Sequence, residues 1–365
     1  MSVTPIPARA WLNGRSSKAK SGQGKMRALW WFMVALYISW VWMGFVEFEI
    51  WPQVLELWGR ETDITDLILH PHGLRYALVL PIFLLSDLTG FSTNWLFSQL
   101  VALLIIFIAV NVTDTARMLL HSRKSWGLLI TASAFFMVLS GFMHGRIAFA
   151  LMGMALLLHT MVAWDHRLLG SSELTARVLL AFFLASVSSG TFIVVIITFY
   201  GWWCCRILGS LGQGRLSVRD WRVFLLFGMA MLMMLPLLDK LMMKNLDFYG
   251  DGFDGLWDML THGAGIIFHI ADWVVVVLSL VVLALFIMFA VVLGAFFPIV
   301  RLPAYATVIS LVGGMFGYST LVMAIPPVMM LGMVSFEHLK FPRQSIAEPW
   351  KTKRGREAAN SPGVA

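Results

Sequence analysis

Long apolar runs, broken by short clusters of charge, set the pattern of this chain. From Trp126 to Ala163 there are 38 residues in which Arg146 is the only formal charge. Residues 178–205 and 302–336 carry none at all. A membrane-crossing helix needs about 20 mostly apolar residues. By that measure the runs predict an all-α polytopic membrane protein of about eight to ten transmembrane helices.

The breaks inside the runs are informative. The stretch 126–163 holds two helices of about 17–18 residues, and they meet at His144-Gly145-Arg146. A hairpin therefore puts His144 and Arg146 at a mouth of the bundle and not at the bilayer centre. In 178–205 the middle reads SVSSGT, Ser186 to Thr191. Both flanks of that run should lie on one side, so two short helices meet there. Non-helical backbone at membrane depth is tolerated only where protein or water satisfies it, which makes this a broken or re-entrant pair. Two regions stay open. Residues 73–112 hold either two spans or one span preceded by a re-entrant or interfacial piece around Pro81. Residues 302–336, with their GG and PP pairs, are either a tight hairpin or one kinked span.

Composition agrees with this reading. Of the 365 residues 59% are hydrophobic and 13% charged, against roughly 25% charged in soluble domains. Mean hydropathy is +0.80. The net charge of +7 does not point to nucleic acid, because Lys and Arg concentrate in terminal segments and short loops, as the positive-inside rule requires. Residues 1–27 carry six Lys/Arg and no acid, and read as a cytoplasmic basic tail; residues 337–365 carry six Lys/Arg against three Glu and read the same way. The transmembrane domain is then 28–336. Its first apolar segment is too long for a signal h-region and reads as an uncleaved span. Acidic stretches near 47–72 and 239–262 are placed outside, and the arginine-rich loop 206–222 inside. Cys204 and Cys205 are adjacent and form no disulfide framework. There is no CxxC, HExxH or GxxxxGK[ST], so no nucleotide motor or zinc site of common spacing is indicated.

Three stretches carry a resemblance: HPHGLRYALVLPIFLLSDLTGFS (70–92), HGRIAFALMGMALL (144–157) and LLAFFLASVSSGTFIVVI (179–196). In that order, within about half of the chain, they resemble the Wzy/EpsG-type polysaccharide polymerases of the bacterial envelope. The third stretch departs from the family pattern, with Ser188 or Ser189 where the family usually has histidine. The resemblance implies a multi-pass protein of the bacterial inner membrane with both termini cytoplasmic. It also implies a glycosyltransferase activity that joins undecaprenyl-pyrophosphate-linked repeat units on the outer face. Its partners would be that lipid-linked glycan, membrane lipids and a chain-length regulator, with no nucleic acid, cofactor or metal. An O-antigen ligase, another lipid-linked glycan transferase, and a non-enzymatic transporter or scaffold are the alternatives.

Several residues are candidates for the chemistry. Arg146 either snorkels to lipid headgroups or clamps a pyrophosphate, for which its planar fork is suited. Arg75 opens an apolar segment on the same expected side and offers the same two readings. His144 is either an interfacial polar residue or an assisting base. His70 and His72 form an HxH pair, too few ligands for a metal site by themselves; His72 is, with His144, a candidate to assist catalysis, and His70 a candidate to bind substrate. Asp66 and Asp251 are candidate bases for the acceptor hydroxyl, and most neighbouring acids would be solvated loop charges. Asp254 and Trp257 lie in LDFYGDGFDGLWDML, where carboxylates and aromatics alternate as a sugar-binding surface would, or as an interfacial amphipathic helix would.

Overall fold

A computed structural model describes residues 8–58, 73–120, 126–212, 272–314 and 318–340, with scattered helical positions between 221 and 254. Every regular element among the described residues is helical. In chain order they are α1 (Ala8–Trp42), α2 (Pro52–Trp58), α3 (Gly73–Thr89), α4 (Thr93–Leu120), α5 (Trp126–Ser140), α6 (Gly145–Asp165), α7 (Ser171–Ala185), α8 (Ser189–Gly212), α9 (Trp273–Phe296), a 3-10 turn (Pro298–Val300), α10 (Arg301–Gly313), α11 (Tyr318–Val322) and α12 (Ile325–Lys340).

Among the described residues, five stretches are long and apolar enough to cross a membrane: Thr93–Leu120, Gly145–Asp165, Gly190–Leu208, Trp273–Phe296 and Ser319–Phe336. Trp126–Ser140 and Pro298–Gly313 are shorter apolar helices. The chain is an all-α polytopic membrane protein. Helix α1 starts at Ala8, so the boundary expected at residues 27–28 is not a break in the backbone: helix continues from the basic segment into the apolar one. The close of the chain past Lys340 lies outside the described residues.

Helix α6 is the axis of the bundle. In its most apolar window 94% of residues are buried, against 6% in α9, which is exposed along nearly its whole length. α6 reaches this burial by close approach of small residues. A Cβ on Gly153 would lie 2.8 Å from the Ala181 carbonyl oxygen and 3.2 Å from Ala185 Cβ, so α7 packs backbone to backbone against it. Small residues are the usual means of helix association in lipid, where apolar burial alone gives no preference for protein over acyl chains. Hydroxyls inside the bundle return their protons to their own helices. Thr113, Thr160, Thr198 and Thr307 each donate to the carbonyl four residues earlier, which satisfies these hydroxyls without a partner from lipid.

Side-chain contacts fix the direction of each helix. Trp30 Nε1 donates to Ser133 Oγ at 2.9 Å and Tyr37 Oη donates to Ser140 Oγ at 2.8 Å, so α1 and α5 run the same way. Residues 141–144 then turn the chain into α6, and we name this end of the bundle the HGR end. Gly145 touches Phe97 there, which puts the start of α4 at the same end. The Trp42 and Trp95 rings, 4.6 Å apart, bring the end of α1 to it as well. The break expected at 186–191 is a turn at Ser186–Ser188 between α7 and α8, closed by Thr191 Oγ1 donating to the Ala185 and Ser188 carbonyls. The 302–336 region is a hairpin: Gly313 abuts Val194 near the start of α8, and α11 and α12 lead back. The end of α12 and the described start of α1 therefore lie at the end opposite HGR.

Helix α3 resolves the other open region. Only three residues, 90–92, separate its end from α4, whose start is at the HGR end. Near its own start Tyr76 lies against Trp58 of α2, ring centroids 6.3 Å apart, and the same Trp58 stacks on Phe83 at 4.8 Å with 7° between the rings. α2 in turn follows Trp51, which packs on Phe97 and Phe149. A 17-residue helix is about 25 Å long, yet both ends of α3 stay at one end of the bundle. It lies across that end and does not cross. The packing also yields a test. Gly153→Val should destabilise the protein by about 1–3 kcal/mol, since the α7 backbone cannot give way to an added side chain; the thermal unfolding midpoint of the protein purified in detergent reads this out.

Candidate functional site

The HGR end is built on an aromatic floor. Phe97 of α4 and Phe149 of α6 stack at 6.0 Å, and Trp51 caps them at 5.6 and 6.1 Å. A non-helical strap, residues 46–51, along which burial alternates, leads to Trp51. The Phe48 N–H donates to Ser98 Oγ at 2.8 Å and the Ile50 N–H to Asn94 Oδ1 at 3.3 Å, tying the strap to the first turns of α4. Extended backbone alternates its side chains. Phe48 and Ile50 are buried, and Glu47 and Glu49 are exposed at the HGR end.

Above this floor α6 begins. His144 is its N-cap residue, with φ −74° and ψ 147°, and its side chain makes no capping bond. Gly145 is required by space: a Cβ there would stand 2.5 Å from Phe97 Cε1. Arg146 follows in the first turn, exposed, with His144 exposed beside it. The first-turn N–H groups of a helix and the positive end of its dipole point the same way. The start of this 21-residue helix therefore adds to the positive potential that Arg146 brings.

Arg75, half-buried on α3, comes into this field. Burial and then the like charge of Arg146 push its guanidinium pKa down, so the two cations act on each other. They come from segments 71 positions apart in sequence, and the structure brings them together. Asp254 is helical and exposed, with its immediate neighbours not described. Asp66, His70, His72, Asp251 and Trp257 lie outside the described residues, as do His262 and His269; Asp272 is the N-cap residue of α9. Two arginines, a helix N-terminus and an imidazole lie at one rim, with exposed carboxylates on the adjoining strap.

Sequence reasoning did not single out Glu47 and Glu49, which were two of six acids in a row. Only the alternating burial along the strap shows that they share an exposed face. It also missed a polar network toward the opposite end. There Arg177 bridges Glu173 at 2.6 Å and lies 3.4 Å from His159 Nδ1, Arg117 bridges Asp114 at 2.9 Å, and Arg206 pairs with Asp165. Since arginine only donates, His159 accepts through Nδ1 and carries its proton on Nε2. The i,i+3 and i,i+4 spacings of two of these pairs were legible; the joining of α6 to α7 through His159 was not. No protein-family model, curated protein or solved structure matches this chain.

A cation in the first turn of a helix opposes the helix dipole, and Arg146 also acts on Arg75. Arg146→Gln should therefore raise the thermal midpoint at low salt, and the gain should be smaller in an Arg75→Gln background. Unfolding of the four proteins of this double-mutant cycle, at low and at high salt, measures the coupling.

Proposed function

We propose that this protein is a membrane polymerase that joins undecaprenyl-pyrophosphate-linked oligosaccharide repeat units, of the kind its sequence resembles. The observation that carries the reading is the convergence of Arg75 and Arg146 at the start of α6, at one end of a multi-pass bundle. The charge pattern of the loops supports placing the HGR end on the outer face of the bacterial inner membrane, with both termini cytoplasmic.

In this scheme the pyrophosphate of the donor lies against the two guanidinium groups and the first N–H groups of α6. The bond between the anomeric carbon and the phosphate oxygen breaks as the acceptor hydroxyl attacks that carbon. Negative charge grows on the leaving oxygen, and fixed cations already aimed at that place stabilise it without reorganising. Arg is suited because it stays ionised when half-buried and matches phosphate oxygens two at a time. His144, beside Arg146, bonds the same phosphate or relays the proton. The acceptor's proton goes to a carboxylate at this rim. Glu47 and Glu49 join Asp66 and Asp251 as candidates for that role, and the exposed Asp254 with Trp257 for the sugar.

The test is the size distribution of surface glycan in a deletion strain complemented with wild-type or variant protein at matched membrane levels. Deletion should leave single repeat units, and Arg146→Ala should lower polymerisation about 100-fold, the usual cost of removing one transition-state donor. Arg146→Lys should restore part of it. Full restoration by Arg146→Ala would reduce the arginine to a headgroup anchor. Unchanged glycan on deletion would remove the polymerase reading.

A further inference from the structure

Helix α3 has two apolar faces. Tyr76, Val79, Ile82 and Phe83 are buried against the bundle. The opposite face, at positions 77, 81, 84, 85 and 88, is Ala, Pro, Leu, Leu and Leu, and all five are exposed. Leu84 is 56% and Leu88 83% exposed. Their spacing puts them on one stripe along the helix. Exposed Asp87 lies beside the stripe near the end of the helix, and the stripe itself, apolar like the buried face, calls for cover of its own. In water this stripe would be an uncovered patch at the very rim where the polar site lies.

The surroundings say what covers it. The stripe runs on through Phe91, exposed and stacked on Trp95 at 4.9 Å, to the Trp42 ring at the end of α1. From there exposed Trp40, Leu36 and Phe32 continue down α1. That surface belongs to an apolar helix on the outside of a membrane bundle, so acyl chains cover it. At the tips of the neighbouring turns Phe45 and Phe142 are 73% and 82% exposed, as aromatic residues at the membrane boundary are. Because α3 does not cross, its stripe cannot be the flank of a span. It is the face of a helix lying in the plane of the membrane.

We propose that α3 is an in-plane helix whose outward stripe, centred on Leu84 and Leu88, is immersed in the acyl boundary of the lipid leaflet at the HGR end. Its partner is the bilayer itself, not a second copy or another protein. The membrane boundary then passes on the far side of α3 from the bundle. Arg75, carried on the same helix, is held at headgroup depth, and the rim of the site opens sideways into the leaflet as well as toward water. This placement does not depend on the polymerase reading. It states only that an anionic group reaching the arginines can arrive on a lipid.

Single cysteines test the placement, because Leu84 and Leu88 are exposed and their replacement leaves the packing of α3 intact. In a Cys204→Ser, Cys205→Ser background, Leu84→Cys and Leu88→Cys are labelled with bimane. Phe32→Cys serves as the lipid reference and Ser172→Cys, in an exposed first turn, as the aqueous one. Each full-length protein is reconstituted into phosphatidylethanolamine–phosphatidylglycerol vesicles, with or without bromine near the glycerol end of the acyl chains. Iodide is equilibrated across the membrane as the aqueous quencher. Labels at 84 and 88 should lose emission to brominated lipid, as at 32, and resist iodide, with blue-shifted maxima relative to 172. Quenching by iodide and not by brominated lipid would overturn the proposal. Shielding from both quenchers would overturn it too, since protein would then cover the stripe.

Discussion

Hydrocarbon offers no hydrogen-bond partner, and the architecture follows from that. Each backbone group within the membrane must be satisfied inside its own helix, and each buried hydroxyl must find a carbonyl or another side chain. The threonines that bond back four residues and the Tyr37–Ser140 and Trp30–Ser133 pairs all answer this demand. The same demand confines irregular backbone to the ends of the bundle. The turns at 141–144 and 186–188, and the strap 46–51, lie toward the HGR end, where polar groups have room.

Packing inside the membrane cannot draw on apolar burial alone, so shape decides it. Gly153 lets α7 come against α6, and Gly145 lets Phe97 come against the first turn of α6. The second contact does two things. It locks α4 to α6, and it sets the direction in which Arg146 leaves the bundle. Trp51 then closes the aromatic floor and ties the strap to both helices. Local stability and the position of the candidate site thus rest on the same few residues.

The two ends of the bundle use charge differently. Toward the opposite end, cations and carboxylates alternate: Asp114 with Arg117, Glu173 with Arg177, Asp165 with Arg206. Such pairs close the bundle and leave little net field. At the HGR end two guanidinium groups oppose one another beside a helix N-terminus. In the function proposed above, these cations, with Glu47 and Glu49 exposed beside them, are the groups that meet the ligand. In-plane α3 adds a direction of approach to that field.

Much of the helical framework was legible in sequence, because apolar length and the few charges that interrupt it are enough to mark helices in a membrane chain. Trp126 to Ala163 had to fold back at His144–Arg146, and Ser186–Thr191 had to be a break, since one span cannot return to its own side. The place of Arg146 at a rim was legible too, from the fold-back at His144-Gly145-Arg146. Sequence left open whether residues 73–89 crossed, because Pro81 and 17 apolar residues suit a short span and an in-plane helix equally well. Only the tertiary contacts decided that, through Trp58 on Phe83 at one side and the short link to α4 at the other. They also decided that Arg75 meets Arg146, and that Glu47 and Glu49 face outward from one strap. Hydropathy is a property of each segment, but the meeting of distant segments is set by how Gly145, Phe97 and Trp51 fit together, and no single segment contains that information.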